Sequence, residues 1–420
     1  MTALKIAFWA CLVLVAYTYV GYGLLLWLIV KAKRLMFGRE VLPPLPTGTE
    51  LPSVTLMICA YNEEDVVHEK MKNIRQLRYP QDKLCVMWVT DGSNDGSNNL
   101  LRQYPEVKLV YSPERRGKAA AMQHGLRENE SEIVVFTDAN TMLNDEAIEE
   151  IVRQMLRPGV SCVSGEKRVA ARTPDNDNQK DPNTAATGGN SQVFTTAEAS
   201  GQVAAEGEGL YWKYESTLKR WDSELYSAMG AAGELFAVRM SDYRQAPQNA
   251  LLDDFMMSML ILADGHKIAY TSKAYACEYG SASMQEESKR KKRIAAGGLQ
   301  SSWWLRRLMN PFRHPKVFFQ FISHRVLRWT ITPFALVALL PLNIALVATS
   351  AGVIYTVVLY MQAAFYAAAL AGWWLAAHGR KSRLLYVPYY FLFMNMNVFL
   401  GIHYLTTHNT SGTWEKARRG

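Results

Sequence analysis

The sequence predicts an α/β domain built on a parallel sheet and tied to a membrane by one N-terminal helix and two to three C-terminal ones. Three observations carry this. Short apolar strands alternate with helical segments between about residues 50 and 310. Several of those strands end on a carboxylate or an amide, where open parallel sheets bind their ligands. Both ends of the 420-residue chain hold long apolar runs. The mean hydropathy of −0.09 therefore averages two unlike regions.

The first element is the run from Leu4 to Val30, whose one charge is Lys5. It exceeds the roughly 20 residues that cross a bilayer. Lys31, Lys33 and Arg34 follow it and place this end at the cytosol. A cleaved signal peptide is the rival reading, but the apolar part is too long and no small-x-small site precedes the basic cluster. Residues 1–34 are thus read as a membrane helix and 50–308 as a cytosolic domain.

Within that domain "VTLMICAY" (Val54 to Tyr61) is a strand, and a helix begins near Asn62–Glu64. "KLCVMWVTD" (Lys83 to Asp91) and "VKLVYS" (Val107 to Ser112) are the next two strands. "RRGKAAAMQHGL" (Arg115 to Leu126) opens on glycine and continues as a helix. "EIVVFTDAN" (Glu132 to Asn140) is a fourth strand, and Asn144 is the expected N-cap of an acidic helix start. This order implies right-handed crossovers and a parallel sheet. Glu63, Asp91 and Asp138 fall at the ends of three separate strands, so they converge. Residues 172–205 are rich in Asn, Thr and Gly, and read as a disordered insertion between the strand "SCVSGEKRV" and the helix "EGLYWKYESTLKRW".

Residues 310–329 read as an amphipathic helix lying in the membrane interface. Phe318, Phe319, Phe321, Ile322, Val326 and Trp329 share one side, with Arg313, Lys316, His324, Arg325 and Arg328 toward the other. Residues 330–410 hold three apolar runs, near Ile331–Thr349, Val353–Ala377 and Leu384–Thr407. Arg380, Lys381 and Arg383 mark an inner loop. The third run contains Asn395, Asn397 and His403, and Lys416, Arg418 and Arg419 lie beyond it, so spanning and re-entrant readings both stand. The five cysteines form no CxxC pair, which argues for reduced thiols. Much of the +8 net charge flanks the apolar runs and is read as topology and lipid headgroup contact, not nucleic-acid binding.

"CAYNEE", "VTDGSNDGS", "RRGKAAAMQHGL" and "FTDANT", followed by "GAAGELFAVR" (Gly230 to Arg239) and "LLDDFMMSMLILADGHKIAY" (Leu251 to Tyr270), resemble the successive motifs of family 2 glycosyltransferases. The flanking apolar runs resemble the branch of poly-N-acetylglucosamine, hyaluronan, chitin and cellulose synthases. The resemblance implies a GT-A type, Rossmann-like cytosolic domain. It also implies a nucleotide-sugar donor, a polysaccharide or lipid acceptor, contact with membrane lipids, and an accessory export or regulatory subunit. A Mg2+ or Mn2+ ion would neutralise the diphosphate leaving group.

By the same resemblance Asp138 faces ribose and metal, and position 140, here Asn140, ligates the metal through a neutral carbonyl. Asp91 accepts from the base, Tyr61 and Glu63 line base and ribose, and Lys118 contacts the nucleotide. Asp254 in "LLDDF" is the catalytic base, with Asp253 its neighbour. Gly233 and Glu234 line the acceptor groove. Processive members carry Q-x-x-R-W after the base helix, with the arginine toward the diphosphate and the tryptophan under the acceptor sugar. Here Arg290 and Arg293 supply arginines, but Ile294 stands where the tryptophan would be. Trp303 and Trp304 lie some three helical turns further on. Three functions follow: a synthase that extends and exports a β-linked polysaccharide from a UDP-sugar such as UDP-N-acetylglucosamine; a transferase adding one sugar to a lipid; or a degenerate scaffold subunit.

Overall fold

The computed structural model describes residues 1–46, 48–170, 196–279, 283–378, 380 and 382–407. The chain enters through α1 (Thr2–Ala16), a π-helical turn (Tyr17–Gly21) and α2 (Tyr22–Phe37), which together form one apolar helical stretch long enough to cross a membrane. Gly38, at φ 74°, ends it. An alternating series follows: β1 (Val54–Ala60), α3 (Glu64–Ile74), β2 (Leu84–Asp91), α4 (Ser97–Leu101), β3 (Val107–Ser112), α5 (Lys118–Arg127) and β4 (Ile133–Asp138). The four strands pair in parallel in the order β3-β2-β1-β4. In β1, β2 and β4 the runs of Val, Ile, Leu and Met are buried on both faces, as parallel strands require, whereas β3 at the sheet edge is only partly buried.

The second half of the sheet is mixed. β5 (Met142–Leu143), α6 (Ala147–Met155) and β6 (Val160–Ala170) come first, then α7 (Thr196–Leu225) and β7 (Leu235–Arg239), then α8 (Asp253–Ala263) and β8 (Lys267–Tyr279). β7 runs antiparallel to β4 and β6 and extends the sheet to eight strands, ending β7-β6-β8-β5. Two apolar cores result, one on each sheet face. α6 begins at Ala147, later than the sequence predicts. Asn144 accepts from the Tyr275 N–H and donates to the Lys273 carbonyl, so it pins the sheet edge instead of capping a helix.

α7 starts at Thr196, inside the segment expected to be a disordered insertion; residues 172–195 of that segment lie outside the described residues. The Ala and Glu residues of "TTAEAS" are good helix formers and extend the helix backward. α9 (Met284–Trp304) returns the chain toward the apolar helices, capped by Ser283 accepting from the Glu286 N–H. α10 (Pro315–Phe321), a π-helical turn (Ile322–Val326) and α11 (Leu327–Trp329) occupy the predicted interface helix. Phe321 and Val326 enter a core of the α/β domain, and His324 and Arg325 are buried against α7. Arg325 and Arg328 find the buried carboxylate of Glu215, which is why they turn inward.

α12 (Ile331–Ala348), α13 (Val353–Ala377) and α14 (Arg383–Thr407) close the chain, and each is long and apolar enough to span. Phe8 of α1 packs with Leu339, Leu346 and Tyr355. Thr18 in the π-turn shares a hydrogen bond with Thr332, 3.0 Å apart. α14 packs against both α13 and α9. Lys381 and the basic residues 416–419 lie outside the described residues.

Candidate active site

A cavity of about 190 Å³ opens at the carboxyl end of β4. Each of its charged side chains arrives from a different local device. Asp138 ends β4, and Lys118 begins α5 directly after Gly117, whose φ of 92° suits glycine. Asp253 and Asp254 form the first turn of α8. Gly233 and Glu234 precede β7, and Arg290 and Arg293 project from α9.

The centre is compact. Lys118 Nζ donates to Asp138 Oδ1 at 2.5 Å. Burial works against the charge of Lys118, but Asp138, Asp253 and Asp254 together hold its pKa above the usual lysine range. Asp254 Oδ1 accepts from the Phe255 N–H at 2.7 Å. Burial, and then the neighbouring Asp253, push its pKa up to about 6, with Lys118 pulling the other way. Asp254 is thus a carboxylate tuned toward neutrality, as a general base requires. Asp253 Oδ2 and Arg293 Nε are buried and have no hydrogen-bond partner among the described residues. An unpaired acceptor and an unpaired donor in one cavity suit a ligand that brings partners for both.

Glu234 is tied into a buried network. Its Oε1 accepts from Lys167 at 2.7 Å and from Arg290 at 3.3 Å, and Lys167 also donates to Glu278. Burial would raise the Glu234 pKa, but Lys167 and Arg290 outweigh it and hold it well below the carboxylate range. Its carboxylate therefore braces α9 against the sheet as well as lining the cavity.

Four predicted residues lie away from the cavity lining. Asp91 is buried, and its two oxygens accept from the backbone N–H groups of Arg116 and Gly117, so it shapes the loop that delivers Lys118. The Arg115 guanidinium lies 3.9 Å from the Tyr61 ring centroid. Glu63 stands at the start of α3, where its N–H donates to Ser97. Asn140 follows Asp138 in the turn after β4.

Sequence reasoning missed one whole wall. Trp212, Glu215 and Lys219 of α7 line the cavity, with Arg325 and Trp329. Buried Glu215 is held by Arg325 at 2.7 Å, Arg328 at 3.2 Å and His324 at 3.2 Å. Burial opposes the Glu215 charge, yet Arg325, His324 and Arg328 keep its pKa well below the usual range. Burial, then Arg325, lower the Lys219 pKa to about 8. The aromatic-basic "YWKYE" was the available signal. The tryptophans at the cavity are Trp212 and Trp329; Trp303 is exposed, and Trp304 packs against a core.

Residues 55–244 match the model of the family described as glycosyl transferase family 2. This segment is a family 2 glycosyltransferase domain. Poly-beta-1,6-N-acetyl-D-glucosamine synthase of Staphylococcus epidermidis is 24% identical over 124 residues, 29% of this chain and 30% of that one. Beta-monoglucosyldiacylglycerol synthase of Synechocystis sp. is 30% identical over 154 residues, 34% of this chain and 32% of that one. The matches to these two thus span about a third of their length. Among solved structures, this chain is similar to the mannosyltransferase PcManGT from Pyrobaculum calidifontis, in complex with GDP-Man and Mn2+. The TM-score is 0.65 with 21% identity, covering 96% of this chain and 99% of that one. The transferase domain has the GT-A fold expected from its motifs.

Proposed function

We propose that the protein is an inverting glycosyltransferase moving a sugar from a nucleotide sugar to a hydroxyl acceptor at the inner membrane, with its transferase domain in the cytosol. The observation that carries this is Asp254. A carboxylate with its pKa near 6 shares one cavity with Lys118, Asp138 and Arg293, whose Nε has no partner among the described residues. Asp254 takes the proton from the acceptor hydroxyl. The acceptor oxygen then bonds to the anomeric carbon as the bond from that carbon to the diphosphate breaks. Arg293 and Lys118 receive the charge that develops on the leaving diphosphate.

A divalent cation is part of this reading, with few protein ligands. Asp138 is a hard oxygen ligand at the cavity, but among the described residues no three His, Cys, Asp or Glu side chains cluster as a metal cage, and Asn140 lies outside the lining, so a cation would rest on Asp138 and on substrate phosphate. Bound there, Mg2+ or Mn2+ supplies charge neutralisation for the diphosphate. The donor reading is a UDP-sugar such as UDP-N-acetylglucosamine, which rests on the motif resemblance; the GDP-Man of the similar solved structure makes a GDP-sugar the second arm of the test.

Two acceptors are in play. The poly-N-acetylglucosamine synthase relatives favour extension of a β-linked polysaccharide with coupled export. Ile294, in place of the stacking tryptophan of processive members, favours a single addition. Purified protein incubated with labelled UDP- and GDP-sugars, Mn2+ and membrane extract, with products sized on a gel, tests the proposal. No transfer from any donor would sink it.

A further inference from the structure

A second cavity, of about 350 Å³, lies between α7, α9, α11 and α14. That volume falls in the range of about 300–1,000 Å³ that holds small molecules. Tyr211, Ile294 and Trp329 line both cavities, so the two share a wall. Ile294 follows Arg293 directly. The far side is supplied by Val387, Phe391, Met394 and Val398 of α14, one of the helices long and apolar enough to span a membrane.

We propose that this cavity seats the apolar chain of a membrane lipid whose head presents its hydroxyl to Asp254, making the protein a lipid glycosyltransferase. The inference rests on the transferase reading above and names its acceptor. Three observations select a lipid. First, Ile294, Val387, Met394 and Val398 give the cavity an apolar side that suits an alkyl chain, while Tyr390 and Arg328 among the remaining lining residues suit a polar head. Second, Arg328 lines the cavity, and its buried Nε has no partner among the described residues. Arg328 donates to Glu215 and to the Tyr214 hydroxyl through Nη1 and Nη2, which leaves its Nε N–H for an oxygen that a ligand brings. An ester, ether or hydroxyl oxygen of a lipid head supplies one. Third, a base is needed only when the nucleophile carries a proton. Asp254 therefore fits a hydroxyl acceptor better than a lipid phosphate, which is already ionised and would be repelled by Asp253 and Asp254. A diacylglycerol and a sugar already linked to a lipid both present such a hydroxyl.

The test uses the full chain in phosphatidylcholine nanodiscs containing a diacylglycerol with a photoactivatable acyl chain, without donor. Label should concentrate on α9 and α14 peptides containing Ile294, Ala295, Met394 and Val398. Met394→Trp fills the cavity and should cut labelling about tenfold. Met396→Trp, on the same helix but exposed, should leave it unchanged. UDP and GDP binding by calorimetry should be the same in both variants, which separates a filled cavity from a misfolded chain. With donor added, thin-layer chromatography should show a product one sugar heavier, and parallel discs with a glycosyl diacylglycerol decide which hydroxyl lipid is preferred. Label spread over α12 and α13 and indifferent to Met394→Trp overturns the proposal, as does a long polymer product. Labelling at Met394 with no transfer from any nucleotide sugar would keep the lipid site but overturn its role as acceptor, and with it the transferase reading.

Discussion

Gly233 and Asp254 touch so closely that a methyl group on Gly233 would lie 2.9 Å from Asp254 Oδ2 and 3.5 Å from Lys118 Nζ. The loop before β7 and the first turn of α8 are therefore fitted together at the carboxylate proposed as the base. Gly233 has no positive φ, so its replacement tests space and not backbone strain. Gly233→Ala should displace the carboxylate and lower turnover by about a hundredfold, the scale expected when a catalytic group moves by an ångström. Single-turnover rates, with nucleotide affinity measured beside them, check this. An unchanged rate would mean that Asp254 is not the reacting group.

The raised pKa of Asp254 makes a pH prediction. The base works only when deprotonated, so turnover should rise with pH and level off above about 6. Stability runs the other way. The folded pKa lies above the ordinary aspartate value, so the contribution of this group is fully present at low pH and is lost as pH rises through about 6. Asp254→Asn should therefore raise the melting temperature at pH 7.5 while lowering turnover by about a hundredfold or more. Thermal melts and rates at pH 5 and 7.5 test both signs.

Metal removal is the third test. EDTA should abolish transfer, and Asp138→Ala should do the same with the melting temperature little changed, since Asp138 is partly exposed. Asn140→Asp should keep activity and tighten the metal requirement, because it would set a second carboxylate two residues after Asp138. Full activity in EDTA would remove the metal from the site.

Much of the site was legible because strand ends are. The apolar runs before Asp91 and Asp138 announce buried parallel strands, and their polar terminal residues stand out by position alone. Lys118, Asp253 and Asp254 are similarly marked by a glycine turn and by an acidic helix start. The α7 wall was not legible. Glu215 meets Arg325, 110 positions later in the chain, and no local period encodes that pairing. For the same reason the inward contacts of residues 310–329 are not legible. Alone these residues are amphipathic, and only the buried carboxylates of Glu215 and Asp222 draw His324 and Arg325 inward. The base contact assigned to Asp91 was a resemblance, whereas its bonds to Arg116 and Gly117 are local geometry that a sequence does not print.

Topology gives the fourth prediction. Gly352 sits in the short turn between α12 and α13, and Arg380 lies between α13 and α14. A reporter active only outside the cytosol should be active when fused after Gly352 and silent when fused near Arg380. The reverse pattern would place the transferase domain away from cytosolic nucleotide sugars.

The last prediction separates the two arginines of α9. Arg290 is buried and braced by Glu234 at 3.3 Å and Glu287 at 3.7 Å, so its charge is already committed to holding α9. Arg293 lines the cavity with its Nε unpartnered among the described residues. Arg293→Ala should weaken UDP or GDP binding and turnover together, because it removes a cation aimed at the diphosphate, and it should leave the melting temperature nearly unchanged. Arg290→Ala should instead destabilise, on the order of 3–5 kcal/mol, since it leaves buried carboxylates short of a partner. Calorimetry with UDP and GDP, beside thermal melts, reads both effects on the same preparations. If Arg290→Ala loses nucleotide affinity without losing stability, the diphosphate sits one helical turn earlier on α9, and Arg293 belongs to the acceptor side.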